Sequence, residues 1–193
     1  MPNWCNNTMI ISHDDPAMIK KACDAWNSGE FLQAMIPCPQ PLLDTVSGYV
    51  GSVGDDPLIS HKAELHEAQQ TLNLKYFGHK NWYDWKVANW GTKWDVGAEG
   101  NEKVDLDGNT FGVGFCSAWS PPTSAYEKLA EMGFYIKAYY YEPGMGFCGR
   151  WEDGAEEFIE IGTLEQARLE IPRDIDQEMG IIDSMEEWDE HDA

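Results

Sequence analysis

The sequence predicts an α+β fold, and three observations predict it. Short runs rich in β-branched and aromatic residues alternate with segments whose apolar residues recur at helical spacing. Two Asp-Gly pairs, at 107–108 and 153–154, each separate two β-prone runs, which is typical of a β-hairpin. A chain of 193 residues, 42% of them hydrophobic, has the length and the apolar content of one packed domain.

The first elements are predicted to be a strand and a helix. A β-prone run at 8–11 indicates the strand. Asp15 is a candidate N-cap, with Pro16 at the first helical position, and Gly29 is a natural stop. The helix between them carries these apolar residues at helical spacing: Ile19, Ala22, Cys23 and Trp26.

The region that follows is predicted to be an insertion. Alternating prolines and closely spaced glycines make regular structure improbable over 30–60, and loops of this length are usually functional or specially packed. A helix resumes at Ser60, and Asn81 can cap a second, shorter one. The longer helix has an apolar stripe made of Leu65, Ala68, Leu72 and Tyr76.

Strands dominate the second half of the chain. Runs at 103–106 and 110–115 flank the first Asp-Gly pair, and a helix opening at Ser120-Pro121-Pro122 leads into a strand at 134–141. A second hairpin joins runs at 147–151 and 157–161. The order β-α-insertion-β-β-α-β predicts a ferredoxin-like split βαβ sandwich, an antiparallel sheet with helices on one face.

Two regions follow from this order. We predict a ferredoxin-like domain over 1–161, with a helical, Trp-rich insertion at about 30–100, and an acidic C-terminal extension over 162–193. The fold hosts many unrelated functions, so function has to be argued from sites.

Charge is the most unusual property of the composition. There are 13 basic and 34 acidic residues, a formal net charge of −21. Residues 151–193 hold 16 of the acidic residues and 2 of the basic ones, so two thirds of the net charge lies there. This balance argues against direct nucleic-acid binding and against anionic membranes, and it favours a basic partner protein.

The extension has an amphipathic pattern as well as charge. Ile175, Met179, Ile182, Met185 and Trp188 recur at helical spacing, weakened by Gly180. Such a helix either docks on its own domain with a solvated acidic face or docks on a partner. Candidate partner-binding residues are Asp174, Asp176, Glu178, Asp183, Met185, Glu186, Glu187, Trp188, Asp189 and Glu190.

A second candidate site is aromatic. The segment 81–95 contains four of the nine tryptophans, together with two lysines. They form either the core of a small insertion or a surface that stacks bases or holds a cation. The candidate residues are Trp82, Trp85, Trp90 and Trp94.

The sequence has no specific pattern of a metal site, a cofactor site or a catalytic site. The five cysteines lie far apart without a C-x-x-C pair, and His61 and His66 are five residues apart, so we expect neither a metal site nor a cofactor. No signal peptide and no membrane span is visible, and free thiols fit a reducing cytoplasm. Catalytic residues are not indicated.

Several blocks together resemble one family. The segments 1–7, 89–95, 115–122 and 141–149 are similar to the YubB-type ferredoxin-like domain family of phage and conjugative-plasmid proteins. The resemblance covers roughly 1–161. It implies a ferredoxin-like fold and a mobile-element protein in the cytoplasm of a bacterial host, and it implies no activity and no site residues.

These observations support several hypotheses about function. The first is a phage or plasmid accessory protein that binds and inhibits a host DNA-handling or defence protein through its acidic surface; in one form of this hypothesis the protein is a DNA mimic. Duplex DNA carries one charge per ~1.7 Å, so 21 charges correspond to about ten base pairs. The second is a general interaction adaptor without DNA mimicry.

Two further hypotheses concern the insertion. An enzyme would have its site where the 30–60 loop meets the tryptophan segment, with paired carboxylates or His61, His66 or His79 pointing inward. A single-strand nucleic-acid binder would use the tryptophans, but the net charge opposes it. The sequence gives no oligomeric state.

Overall fold

The fold is given by a computed structural model that describes residues 3–48, 57–100 and 103–192, with side chains described over 3–48, 61–100 and 103–188. Within them the strands are β1 (Trp4–Ser12), β2 (Thr110–Ala118), β3 (Tyr135–Glu142), β4 (Phe147–Glu152) and β5 (Ala155–Glu160). The helices are α1 (Pro16–Asn27), α2 (Phe31–Met35), α3 (Gln40–Leu43), α4 (Pro57–Phe77), α5 (Trp82–Trp90), α6 (Thr123–Glu131), α7 (Leu164–Glu170), α8 (Arg173–Met179) and α9 (Ile181–Asp192).

The five strands form one antiparallel sheet in the order β2-β1-β3-β4-β5. The long strand β1 lies inside the sheet because its residues pair with β2 on one side and with β3 on the other. Strands β2 and β3 run parallel to each other with β1 between them, joined through α6, which makes one split βαβ unit. The prediction of an α+β fold with an antiparallel sheet is confirmed.

One face of the sheet carries the main core. Alternate residues of β1, among them Met9 and Ile11, point to this face and are fully buried. They pack against apolar residues of α1 and α6 such as Trp26 and Leu129. Asp15 caps α1 by accepting from the amide of Ala17, as the sequence predicts.

The other face is covered by the C-terminal helices. A second apolar cluster joins Tyr141 of β3 and Cys148 of β4 to buried residues of α7–α9, including Ile175 and Ile181. Helices α1 and α6 lie on the face of the main core, and the extension adds a second helical layer on the opposite face, so it docks on its own domain, one of the two alternatives that the sequence left open. The extension docks on its own domain because β3 and β4 present apolar side chains on this face too, which a helix has to cover.

The segment 30–60 is more regular than the sequence predicts. Helices α2 and α3 form there because Phe31, Leu32 and Leu42 are buried in the main core. The carboxylate of Asp95 accepts from the amides of Leu32 and Gln33 and so satisfies the first turn of α2 from 62–63 residues away. Residues 49–56 of this segment lie outside the described residues.

The first predicted hairpin is incomplete. The Asp-Gly turn forms, and Asp107 pairs with Thr110 in an isolated bridge, but 103–106 is not a strand. The Asn27 side chain takes both backbone groups of Val104 instead, accepting from its amide at 2.9 Å and donating to its carbonyl at 2.8 Å. Since a side chain satisfies Val104, its backbone does not pair with β2.

Two helices differ from their sequence patterns. The apolar stripe of α4 does not face the core: Leu65, Leu72 and Tyr76 are exposed, and the helix approaches the body through Asn73, which is almost fully buried.

The C-terminal extension is not one continuous helix. Gly180 adopts a left-handed conformation with φ 62° and ends α8, so Ile181 rather than Ile182 is fully buried in the second cluster.

Candidate functional site

Helices α7–α9, called the C-terminal layer below, are fixed to the sheet by an ion-pair network as well as by apolar packing. The guanidinium of Arg150 on β4 lies 2.5 Å from the carboxylate of Asp174 on α8 and 2.9 Å from that of Glu157 on β5. The hydroxyl of Tyr139 donates to the same Asp174 carboxylate at 3.4 Å. These contacts hold α8 against the middle of the sheet.

The contact with Arg150 lowers the pKa of Asp174. Burial raises its pKa, but the hydrogen bond and the positive charge of Arg150 outweigh that effect and hold the pKa below its usual value. The carboxylate is therefore stabilised in its charged form, and it is partly neutralised by its own domain.

The predicted partner-binding residues divide into two groups. Four make contacts within the layer or with the sheet, and Asp174 is one of them. Asp176 accepts from the amide of Ile182, and Glu186 pairs with Arg168 at 2.6 Å. Met185 packs into the second cluster. Those exposed to solvent are Glu178, Asp183, Glu187 and Trp188, the last with 61% of its surface accessible. The side chains of Asp189 and Glu190 lie outside the described residues.

Because the C-terminal layer is docked on the sheet, its exposed carboxylates are held on helices whose positions are fixed. Met185 cannot serve as a free anchor because its side chain already contacts the cluster beneath the layer. Trp188 remains the exposed aromatic residue among carboxylates, and Trp is a side chain that often dominates binding energy at interfaces.

The four predicted tryptophans do not form one platform. Trp90 is fully buried, and its indole N–H donates to the carbonyl of Ile36 at 2.9 Å. Trp82 and Trp85 are partly buried against the same core, while Trp94 lies 42% exposed. Trp82, Trp85 and Trp90 belong to α5, a short helix that turns its large residues towards the core, whereas Trp94 lies beyond the end of that helix.

An aromatic cluster does exist at the surface, but it has other members. The rings of Trp4 and Trp94 lie 5.6 Å apart, and the ammonium of Lys93 lies 4.2 Å from the Trp94 ring and 5.4 Å from that of Trp119. All three tryptophans are between 42% and 47% exposed. The sequence pattern did not indicate Trp4 and Trp119, which lie at the same end of the sheet because the first residue of β1 pairs with the last residue of β2.

A cavity of about 520 Å³ begins beside this cluster. It runs along β2 between that strand and the segments 94–99 and 103–104, and we call it the β2 slot. Its volume lies within the range of small-ligand sites. The carboxylate of Asp95 in its wall accepts from the amides of α2, which gives it a structural role, and burial raises its pKa.

The histidines of the enzyme hypothesis are not brought together at this slot. His61 is exposed on α4, and His66 contacts Gln70 on the same helix at 2.9 Å. His79 also lies outside the residues that line the slot. Among the described residues, no group of three or more His, Cys, Asp or Glu has the geometry to hold a metal ion.

The cysteines are free thiols with raised pKa values. Burial raises the pKa of Cys148 to about 12, with Asp176 and Glu157 adding to the shift. Cys116 on β2 is exposed, yet partial desolvation and the Glu99 carboxylate raise its pKa also. A thiol with a raised pKa is a poor nucleophile near neutral pH.

Comparison with known proteins gives one structural neighbour. The chain matches no family model and no curated protein. It is similar to the crystal structure of a protein api92 from Yersinia pseudotuberculosis, described with the family model DUF1281. The two chains are 13% identical, the match covers 84% of this chain and 99% of that chain, and the TM-score is 0.41.

None of the helices in the described part of the chain combines the length and the apolar content that crossing a bilayer requires.

Proposed function

We propose that the protein is a phage or plasmid accessory protein of the bacterial cytoplasm that binds a host DNA-handling or defence protein. The C-terminal layer is the binding surface, and it competes for a site that the host protein uses for DNA. The observation that carries the proposal is the layer itself: residues 162–193 hold 11 acidic and 2 basic residues, a net charge of −9, on helices that are docked to the sheet.

Docking matters because mimicry of DNA requires charges at fixed positions. A disordered acidic tail would bind basic partners with a cost in ordering each time. Here Ile175 and Ile181 are fully buried, and Arg150 anchors Asp174, so the helices that carry the exposed carboxylates need no ordering. This favours the DNA-mimic form of the hypothesis over an adaptor whose tail folds only on its partner.

We infer a ferredoxin-like ancestry, since β2-α6-β3 is one split βαβ unit and β1-α1 would begin the second. The strand that would complete it corresponds to 103–106, beside β2. The resemblance of four sequence blocks to the YubB-type family supports this ancestry and a mobile-element origin.

The test is capture and displacement with the full chain. Immobilised protein is exposed to bacterial lysate, washed, and then challenged with a 30-base-pair DNA duplex. Deleting the layer would expose the second apolar cluster, so point variants are the better comparison. The test variant combines Glu178→Gln, Asp183→Asn and Glu187→Gln, three exposed carboxylates of the layer.

A matched control removes the same charge elsewhere. Glu67→Gln, Glu127→Gln and Glu131→Gln neutralise three exposed carboxylates on α4 and α6. We expect a host protein that duplex DNA displaces, that the control variant retains, and that the test variant binds at least about tenfold more weakly. Binding should also fall steeply with added salt. Capture that is indifferent to DNA, or that both variants weaken equally, contradicts the proposal.

A further inference from the structure

Strand β2 forms one edge of the sheet, and its outer side faces the β2 slot. On its inner side it pairs with β1 over its whole length, Thr110 to Ala118. The orientation of its backbone groups can be read from the residues that flank it. His13, which follows β1, donates its amide to the carbonyl of Asn109, so odd-numbered residues of this strand turn their backbone groups towards β1.

Even-numbered residues turn the other way. Thr110 exchanges both of its backbone hydrogen bonds with Asp107, on the side away from β1, at 2.9 and 3.1 Å. Because alternate residues of a strand direct their N–H and C=O groups to the same side, Gly112, Gly114 and Cys116 also direct theirs outward. Within the described residues none of these six groups has a hydrogen-bond partner in the protein.

The outer wall of the slot is fixed in place without touching this edge. The Asn27 side chain holds Val104, and the amide of Ala98 donates to the carbonyl of Trp26 at 2.8 Å. The carbonyl of Val96 accepts from the amide of Phe31. The wall therefore belongs to α1 and α2, and the space between it and β2 is a built feature of the fold.

The side chains around the slot are apolar on one side and small on the other. Val113, Phe115 and Val104 pack partly buried beside Trp26 on the face of the main core. On the opposite face Gly112 and Gly114 have no side chain, and a Cβ at Gly114 would meet no atom nearer than 3.9 Å. A strand lying here would bury every second side chain and leave the others over open backbone.

We propose that the β2 slot binds an extended peptide segment of a partner protein by β-strand addition. The segment pairs with the backbone of Gly112, Gly114 and Cys116 and carries apolar residues at alternate positions. Five residues at ~3.4 Å each span about 17 Å of strand, which sets the length of the peptide. Because the segments 94–99 and 103–104 already line the outer side of the slot, it fits a single extended segment better than the sheet edge of a second folded copy.

This inference does not rest on the proposed function. The slot lies along β2, whereas the C-terminal layer covers β3 and β4. Neutralising Glu178, Asp183 and Glu187 should leave peptide binding unchanged, so failure of one proposal is distinguishable from failure of the other.

Amide hydrogen exchange tests the edge before any ligand is added. The amides of Phe111, Val113 and Phe115 should exchange slowly, and those of Gly112, Gly114 and Cys116 should exchange fast, in the full chain by NMR. Slow exchange at the even positions in the protein alone overturns the proposal. If that protection depends on protein concentration, a second copy occupies the slot; if it does not, the chain fills its own slot.

The ligand test uses a random heptapeptide display library selected on the full chain. We expect enriched peptides with apolar residues at alternate positions, which slow exchange at Gly112, Gly114 and Cys116 at least tenfold and leave the odd positions unchanged. The protein variant Val113→Lys places a charge in the apolar side of the slot and should abolish enrichment. Its matched control is Ile10→Lys, at an exposed residue of the same sheet outside the slot.

A change in the peptide keeps the test valid if Val113→Lys fails to fold. Methylating alternate backbone nitrogens of a selected peptide, those that donate to β2, preserves its side chains and removes the hydrogen bonds. We expect affinity to fall at least tenfold. Equal binding of the methylated peptide, or no enrichment over Val113→Lys, overturns the proposal.

Discussion

The two edges of the sheet are built in opposite ways. Strand β5 has three glutamates among its six residues, Glu156, Glu157 and Glu160, while the nine residues of β2 carry no charge at all. Charged side chains on an edge strand prevent pairing with other chains. The difference shows that β5 is protected by its own side chains, whereas the only barrier beside β2 in the described structure is a wall that leaves a slot.

The packing of the glycines near the two edges differs in the same way. Next to β5, Gly149 of β4 lies so close to the carbonyl of Glu157 and to the hydroxyl of Tyr140 that a Cβ would overlap both. Gly114 on β2 has open space instead. Close packing and the ion pairs of Arg150 fix β5 tightly to β4, whereas the outer side of β2 has room for an additional strand.

The largest expected effect comes from adding one methyl group near each edge of the sheet, at Gly149 and at Gly114. Gly149→Ala should destabilise the fold by about 3 kcal/mol, because the backbone of β5 has to move away. Gly114→Ala should change the free energy of unfolding by less than about 0.5 kcal/mol. Urea unfolding of both variants measures this. Equal costs would mean that the two edges are packed alike.

Local signals predicted most elements correctly. Asn81 caps α5 by accepting from the amides of Tyr83 and Asp84, and the hairpin at Asp153-Gly154 joins β4 to β5. These features depend on residues only a few positions apart, so the sequence contains all the information that they need.

The features that the sequence did not predict depend on distant partners. The run 103–106 is β-prone, but Asn27, 77 positions away from Val104, takes the hydrogen bonds of a strand. The aromatic cluster likewise needs the pairing of β1 with β2, which brings Trp4 to the end of β2 beside Trp119. A pattern within one segment cannot report such contacts, and the β2 slot exists because of them.

An intermediate effect concerns the anchor of the C-terminal layer near β5. Because the pKa of Asp174 is below its usual value of 3.8, its contribution to stability is complete above about pH 4 and is lost as pH falls through the lowered value. Asp174→Asn should therefore lower the urea midpoint at pH 7, and the difference from the unchanged protein should shrink towards pH 3.

The control for this anchor is Asp183→Asn, at an exposed carboxylate of the same layer. It should leave the urea midpoint nearly unchanged at both pH values. If Asp174→Asn costs as much at pH 3 as at pH 7, the stabilisation comes from packing and not from the charge on Asp174.

The smallest expected effect on stability comes from removing one of the charges that protect the β5 edge. Glu160→Val on β5 should leave the free energy of unfolding within about 0.5 kcal/mol, since Glu160 is exposed. It should nevertheless increase self-association, because it removes a charge that lies next to the half-exposed Phe158. Light scattering against concentration measures this, with Glu131→Val on α6 as the control for hydrophobicity alone. If both variants associate equally, the glutamates of β5 do not protect an edge, and the contrast with β2 rests on packing alone.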